Sequence, residues 1–311
     1  MANNLGDSFL RVGPAYVSRD AVNLLTQLPV SSLKEAMTAD IGEPLDKPGL
    51  QRWRRRSRLV LQDLMGADRV LYLKRFLLPP VKAQLARMLL GAWRHGTAWI
   101  EWNNILRLQA AGVPTMRPIA FAEKVAGIWE LGSLLCTEQV PGESLEKWLP
   151  AGWPAAVQTF GTAWRRRVVA DLAALVRRMH QANLCHRDLY TSHVFVRVEP
   201  DGRARFHVID LQRMFRLGLR KRRWRVKDLA ALAASAPDGM VSRTDRLRFL
   251  LAYLGRVDAA DAGEPAEGAP GGRAVRRSGW KAWWRDIQTK ARRMMRHHHA
   301  RMRRLASAAG R

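Results

Sequence analysis

Two aspartates in this chain have the neighbours and the spacing that phosphoryl chemistry requires. Asp188 stands in the run Cys185-His186-Arg187-Asp188-Leu189, and Asp210 follows Val208-Ile209, 22 positions further on. Moving a phosphoryl group needs one carboxylate to accept the proton of the attacking hydroxyl and a second to hold magnesium against nucleotide phosphates. A loop between a helix and a hairpin can present Asp188. An apolar strand, Phe206 to Ile209, can hold Asp210 rigidly opposite it.

The elements that must position these groups are legible from pattern. RRRSRLVLQDLMGADRVLYLKRF, Arg54 to Phe76, has two β-prone runs around a Gly-Ala-Asp turn and reads as an antiparallel hairpin, with Lys74 near its end. Residues 82–111 carry helical periodicity through Leu85, Leu89, Ile100, Ile105 and Leu108, with Gly112 and Pro114 as the stop, and Glu101 lies inside this stretch. GIWELGSLLCTEQV is again β-prone, and Pro141-Gly142 breaks it. A helix is predicted from about Trp164 to Gln181, then a loop at 186–192 and a hairpin, VFVRVEPDGRARFHVID, turning at Asp201-Gly202. Two more helices are predicted at about 226–236 and 243–254. Strands first and helices after argue for a two-lobed α+β protein.

The expected organisation is a lead-in over 1–53 interrupted by Pro14, Pro29, Pro44 and Pro48, an N-lobe over 54–140 and a C-lobe over 141–256. A Gly/Pro-rich linker over 257–272 and a basic tail over 273–311 complete it. Cys136 and Cys185 lack metal-ligand spacing, which excludes a zinc module or a disulfide framework and fits a reducing cytoplasm. The first residues lack a secretion-signal pattern, and no run approaches the roughly 18 apolar residues of a bilayer span. The expectation is a soluble or peripheral protein.

The formal net charge is +26, which points to a polyanionic partner. Arg213 to Arg225 holds seven basic residues in thirteen, a loop that could clamp phosphates or carboxylates of an acidic acceptor. In the tail, eleven arginines and two lysines stand against the single Asp286. Trp280, Trp283, Trp284, Ile287, Met294, Met295 and Met302 approximate one helical face, as in a helix lying among anionic headgroups. His297-His298-His299 reads as part of this basic stretch rather than as a metal site.

The run H-R-D-L at 186–189, with Lys74 on a strand, Glu101 on the next helix and Asp210 after an apolar strand, resembles the protein-kinase signature in content and order. In that pattern the lysine pairs with the helix glutamate and with the nucleotide phosphates. Leu211-Gln212 stands where Phe-Gly is expected, His193 where a magnesium-binding Asn is expected, and A-P-E is absent. These departures are similar to the lipopolysaccharide core kinases, the bacterial Kdo and heptose kinases, in HRDLYTSH and IDLQR. Further similar stretches are LYLKRF, EWNNILRLQAAGVPT, RWRVKDLAALAAS and DRLRFLLAYLG, together covering about 54–256.

The resemblance implies a bilobal protein-kinase-like fold with a small β-rich N-lobe and a mainly helical C-lobe. It implies ATP and Mg²⁺ as cofactors, and transfer of the γ-phosphate to a sugar hydroxyl of the lipopolysaccharide inner core at the cytoplasmic membrane face. Asp188 is then the catalytic base, Asp210 the metal ligand, and Lys74, Glu101 and His193 the cofactor-binding residues, although imidazole suits magnesium poorly. Asp228 could cap its helix and also brace the catalytic loop by accepting backbone N–H groups, and the resemblance favours the bracing role. His180 reads as a packed or capping residue and Cys185 as a buried neighbour of the loop.

Expected partners are the lipopolysaccharide core acceptor and, through the tail, an anionic membrane surface; nucleic acid is not among them. Two other readings compete: a kinase-like enzyme acting on protein or small-molecule hydroxyls, and a non-catalytic basic protein that binds nucleic acid or membrane. The last would bind nucleic acid with a steep salt dependence, losing about 10³-fold between 50 and 200 mM for six phosphate contacts.

Overall fold

The computed structural model describes residues 8–13, 15–28, 30, 32–45, 53–219, 221–256 and 279–309, with side chains of the last helix at 279–297 and 300. The expected linker over 257–272, the first tail residues 273–278, and the side chains of His298, His299 and Met302 lie outside the described residues. Two compact units form. The first comprises 1–110, 115–140 and 210–213, the second 111–114, 141–209 and 214–311.

The first unit is built on a seven-stranded sheet, entirely antiparallel. Its strands are β1 (Phe9–Val12), β2 (Ala15–Ser18), β3 (Glu43–Pro44), β4 (Arg54–Gln62), β5 (Asp68–Leu77), β6 (Pro118–Ala126) and β7 (Trp129–Glu138), in the order β1-β2-β6-β7-β5-β4-β3. The β4–β5 hairpin stands where the two β-prone runs placed it. Its turn is fixed by the Asp63 carboxylate, which accepts hydrogen bonds from the Met65 and Ala67 amides, and by Gly66 at φ +78°.

Residues read as an interrupted lead-in join this sheet. β1 and β2 extend it beyond β6, and Val17, Leu24, Met37 and Ile41 pack into one core with Leu59, Leu71, Leu73, Ile119 and Cys136. Leu24 and Met37 come from the short helices α1 (Val22–Leu25) and α2 (Leu33–Thr38). Complete burial of side chains such as Leu71 and Ile119 stabilises the unit by roughly 1.5–3 kcal/mol each.

The single helix expected over 82–111 is two, α3 (Val81–Leu89) and α4 (Thr97–Ala110). The break is structural. Gly91 adopts φ +83°, and the buried Arg87 guanidinium donates to the Ala92 and His95 carbonyls, holding the chain out of helical register. α4 packs against β5, β6, β7 and the 3₁₀ turn Leu211–Arg213.

The second unit is mainly helical. α5 (Leu145–Gln181) is divided at Gly161, whose φ of +79° and ψ of −177° are not helical. A two-residue strand β8 (Glu143–Ser144) precedes it. After it come β9 (Leu184–Cys185), β10 (Val194–Val198), β11 (Ala204–Val208) and β12 (Phe215–Arg216), forming the small sheets β11-β10-β8 and β12-β9. The β10–β11 hairpin turns at Asp201-Gly202, with Gly202 at φ +80°.

Three helices follow among the described residues: α6 (Lys221–Ser235), α7 (Arg243–Tyr253), opened by a Ser242/Asp245 capping box, and α8 (Gly279–Ala309). α8 lies along α6 and touches α7. Its Ile287 and Ala291 are buried, Trp283 packs on Tyr253, and Trp284 and Ile287 help line an apolar cavity of about 120 Å³ with Trp148, Trp153, Phe206 and Phe249. Much of the apolar face that the sequence assigned to lipid is therefore covered by protein.

Candidate functional site

In the first unit, the β-ladder places Lys74 on β5 opposite Leu135 of β7 and Arg56 of β4. α4 packs across the sheet and brings Glu101 to Lys74, with Nζ to Oε1 at 2.6 Å. The Glu101 side chain is 1% exposed and that of Lys74 12%. One glutamate oxygen is thus charge-paired, while Oε2 is buried with no hydrogen-bond partner among the described residues. A buried carboxylate is tolerated only with a cation held against it, so this pair fixes the lysine head.

Asp210 belongs to the same unit, and its Oδ1 lies 3.7 Å from Lys74 Nζ. The backbone at Asp210 is left-handed, φ +58°, a conformation that costs about 1–3 kcal/mol outside glycine. Asn104, on the same helix as Glu101, donates from Nδ2 to the Leu211 carbonyl at 2.9 Å and so anchors the turn that carries Asp210. Sequence reasoning missed Asn104. Its spacing of three from Glu101, one turn along the helix, was the available signal.

In the second unit, the loop after β9 presents Asp188. Buried Asp228 of α6 grips this loop: Oδ2 accepts from the His186 amide at 2.7 Å and Oδ1 from the Arg187 amide at 2.8 Å. Burial pushes the Asp228 carboxyl up, but the hydrogen bond from His180 and the electrostatic influence of the His180 and His186 side chains outweigh it, leaving the carboxyl below the usual carboxylate range. Arg187 is held at φ +71°, and Lys227 Nζ donates to its carbonyl at 2.7 Å. Asp228 therefore braces the loop, the role that the resemblance favoured.

His193 turns its ring onto the same loop, with Nδ1 2.8 Å from the Asp188 carbonyl. A carbonyl only accepts, so Nδ1 carries the proton. His186 Nε2 likewise donates to the Ile209 carbonyl at 2.9 Å, and the Ile209 amide donates to the His193 carbonyl at 3.0 Å. Ile209 is thereby tied to the loop that carries Asp188. Cys185 is fully buried, its thiol pushed up by burial and by the adjacent Asp228 carboxylate.

The structure thus gathers Lys74, Glu101 and Asp210 in one unit and Asp188, His193 and Asp228 in the other. The donor chemistry fits a nucleotide with a hard cation. Asp210, with its side chain 32% exposed, offers carboxylate oxygen, and no group of three or more His, Cys, Asp or Glu able to hold a metal ion occurs among the described residues. Magnesium suits such a place because it takes one or two carboxylates and completes its shell with phosphate and water oxygens. Lys74, held by Glu101, offers a cation that can pair with phosphate.

A model described as the lipopolysaccharide kinase (Kdo/WaaP) family matches residues 48–253, about two thirds of the chain. The chain belongs to this family. Among curated relatives, the lipopolysaccharide core heptose(I) kinase WaaP of Pseudomonas aeruginosa is 36% identical over 169 residues, and WaaP of Escherichia coli K12 is 36% identical over 159. Each match takes in 50% of this chain and 59% of the relative, so the chain spans less than two thirds of their length. A solved structure, "WaaP in complex with acyl carrier protein", superposes with a TM-score of 0.55 at 28% identity, covering 83% of this chain and 91% of that one. The fold of this family member is accordingly kinase-like. Both units carry the residues that the family resemblance singled out.

Proposed function

We propose that the protein is a lipopolysaccharide core kinase that transfers the γ-phosphate of ATP to a hydroxyl of an inner-core sugar, a heptose or Kdo. The observation that carries this reading is the buried Lys74–Glu101 pair with the Asp210 carboxylate 3.7 Å from the same ammonium. Family membership and the curated heptose kinases support the substrate class.

In this reading the bound nucleotide supplies the phosphoryl group, and its magnesium ion neutralises charge on the phosphates. Lys74 holds those phosphates, kept in place by Glu101. Asp210 provides the metal's protein ligand on a turn anchored by Asn104. Asp188 accepts the proton of the sugar hydroxyl, and His193 fixes the loop by donating to the Asp188 carbonyl rather than by binding metal. Arg213, Arg216, Arg222 and Arg223, in the basic run after Asp210, suit an acceptor that already bears phosphate or carboxylate.

The test is ATP turnover with purified core oligosaccharide present and absent. Acceptor-dependent ADP release, with phosphate recovered on the sugar, is the expected result. Phosphate recovered only on protein or on a free small molecule would reject the substrate class.

The site of action is proposed to be the cytoplasmic membrane face. No helix among the described residues is long and apolar enough to cross a membrane. The apolar side of α8 faces its own protein, whereas Lys281, Arg285, Arg292 and Arg296 are exposed at intervals of four, seven and four, a single cationic stripe. Each basic residue at an anionic surface contributes about 1 kcal/mol, so the four together give about a thousand-fold. The protein should therefore sediment with phosphatidylglycerol vesicles at low salt and be released at high salt. Charge reversal of the four should abolish sedimentation. Salt-resistant binding to phosphatidylcholine vesicles would mean that the tryptophan face inserts instead.

A further inference from the structure

The family match ends at residue 253, yet α8, which lies beyond it, is wired to the loop that carries Asp188. Trp283 of α8 packs on Tyr253, ring centroids 5.9 Å apart. Arg222 of α6 lies over the Trp283 ring, Cζ 5.1 Å from its centroid, and pairs with Asp286 at 2.7 Å. Trp283 thus contacts both a cation and a tyrosine.

From Tyr253 the contacts continue inward through groups that are almost fully buried. The Tyr253 hydroxyl is 2.9 Å from His180 Nδ1, and the rings meet edge to face at 5.6 Å. His180 Nε2 is 3.2 Å from Asp228 Oδ2. An ionised carboxylate accepts only, so Nε2 carries the proton; in the neutral ring Nδ1 then accepts from the tyrosine hydroxyl. Burial pushes the Tyr253 phenol up, so it keeps its proton to donate. Asp228 in turn holds the His186 and Arg187 amides, immediately before Asp188. The order Trp283, Tyr253, His180, Asp228, loop has no gap.

We propose that α8 is a positioning element for the catalytic loop, its docking on Tyr253 fixing the His180–Asp228 pair that holds the backbone at His186 and Arg187. The inference rests on reading Asp188 as the base. What it adds is that Trp283, Tyr253 and His180 are positioning residues, and that a segment outside the family's common core tunes the reaction. The left-handed Arg187 gives the network its purpose, because an amide held in a strained conformation relaxes when its restraints weaken. A single hydrogen bond of this kind is worth a factor of roughly three to ten in such an equilibrium.

The experiment compares full-length wild type with Tyr253→Phe and Trp283→Ala by amide hydrogen exchange and steady-state kinetics. Tyr253→Phe keeps the ring and removes only the hydroxyl, so it reports even if Trp283→Ala folds poorly. Exchange at His186 and Arg187 should quicken by roughly three- to ten-fold, with amides of the seven-stranded sheet unchanged. The turnover number should fall by a similar factor with KM for ATP held. Unchanged exchange at both amides in folded Tyr253→Phe overturns the proposal, and so does acceleration spread evenly over the sheet. If wild type transfers no phosphate, the kinase reading fails, while the exchange data still decide whether α8 restrains the loop.

Discussion

Asp188→Asn should lower the turnover number for phosphate transfer by about 10²–10⁴-fold, the usual contribution of a general base, and leave ATP binding intact. The loop is held through main-chain atoms: the Asp188 carbonyl accepts from His193 Nδ1 and from the Tyr190 amide, both at 2.8 Å, and Asp228 holds the two preceding amides. None of these bonds uses the Asp188 carboxylate, so asparagine removes the proton acceptor and keeps these main-chain bonds. Asp210→Asn should behave differently. It withdraws a charged oxygen donor that lies beside Lys74, so magnesium-dependent nucleotide affinity should fall along with turnover. Calorimetric titration of ATP with and without magnesium, beside turnover measurements, separates the two. Equal turnover in wild type and Asp188→Asn would remove Asp188 from the chemistry.

The loop and the hairpins were legible in the sequence because their signals are local. H-R-D-L is four adjacent residues, β4 and β5 are β-prone runs either side of a short turn, and the Asp201-Gly202 turn is set by its own residue types. Signals that depend on a distant partner were not legible. β1 and β2 are four residues each, too short for periodicity to register, and become strands only by pairing beyond β6. The break between α3 and α4 depends on where the Arg87 guanidinium ends, which apolar spacing does not encode. The tail shows the same limit from the other side. Amphipathicity announced that α8 has an apolar face, but a face covered by lipid and one covered by α6 and α7 have the same pattern. His180, a lone histidine near a helix end, gave no sign that its two nitrogens would bridge Tyr253 and Asp228.

The Lys74–Glu101 pair allows stability and ligand binding to be separated. Lys74→Met removes the cation from a carboxylate whose second oxygen has no hydrogen-bond partner among the described residues. Breaking a buried pair from one side costs about 3–5 kcal/mol, because the remaining charge is stranded. Lys74→Met combined with Glu101→Leu should be much less destabilised than the single variant, since replacing both charges by apolar side chains of similar volume is often nearly neutral. Asp210 sharpens the contrast: its side chain is 32% exposed, so water can solvate it when the lysine goes, whereas Glu101 at 1% has no such recourse. Urea unfolding of wild type, the two single variants and the double variant measures the coupling. Equal stability of Lys74→Met and the double variant would mean that the pair is not what holds Glu101 in the interior. Nucleotide affinity should be lost in Lys74→Met and the double variant alike, because the double substitution rescues the fold without returning the ammonium that the phosphates need.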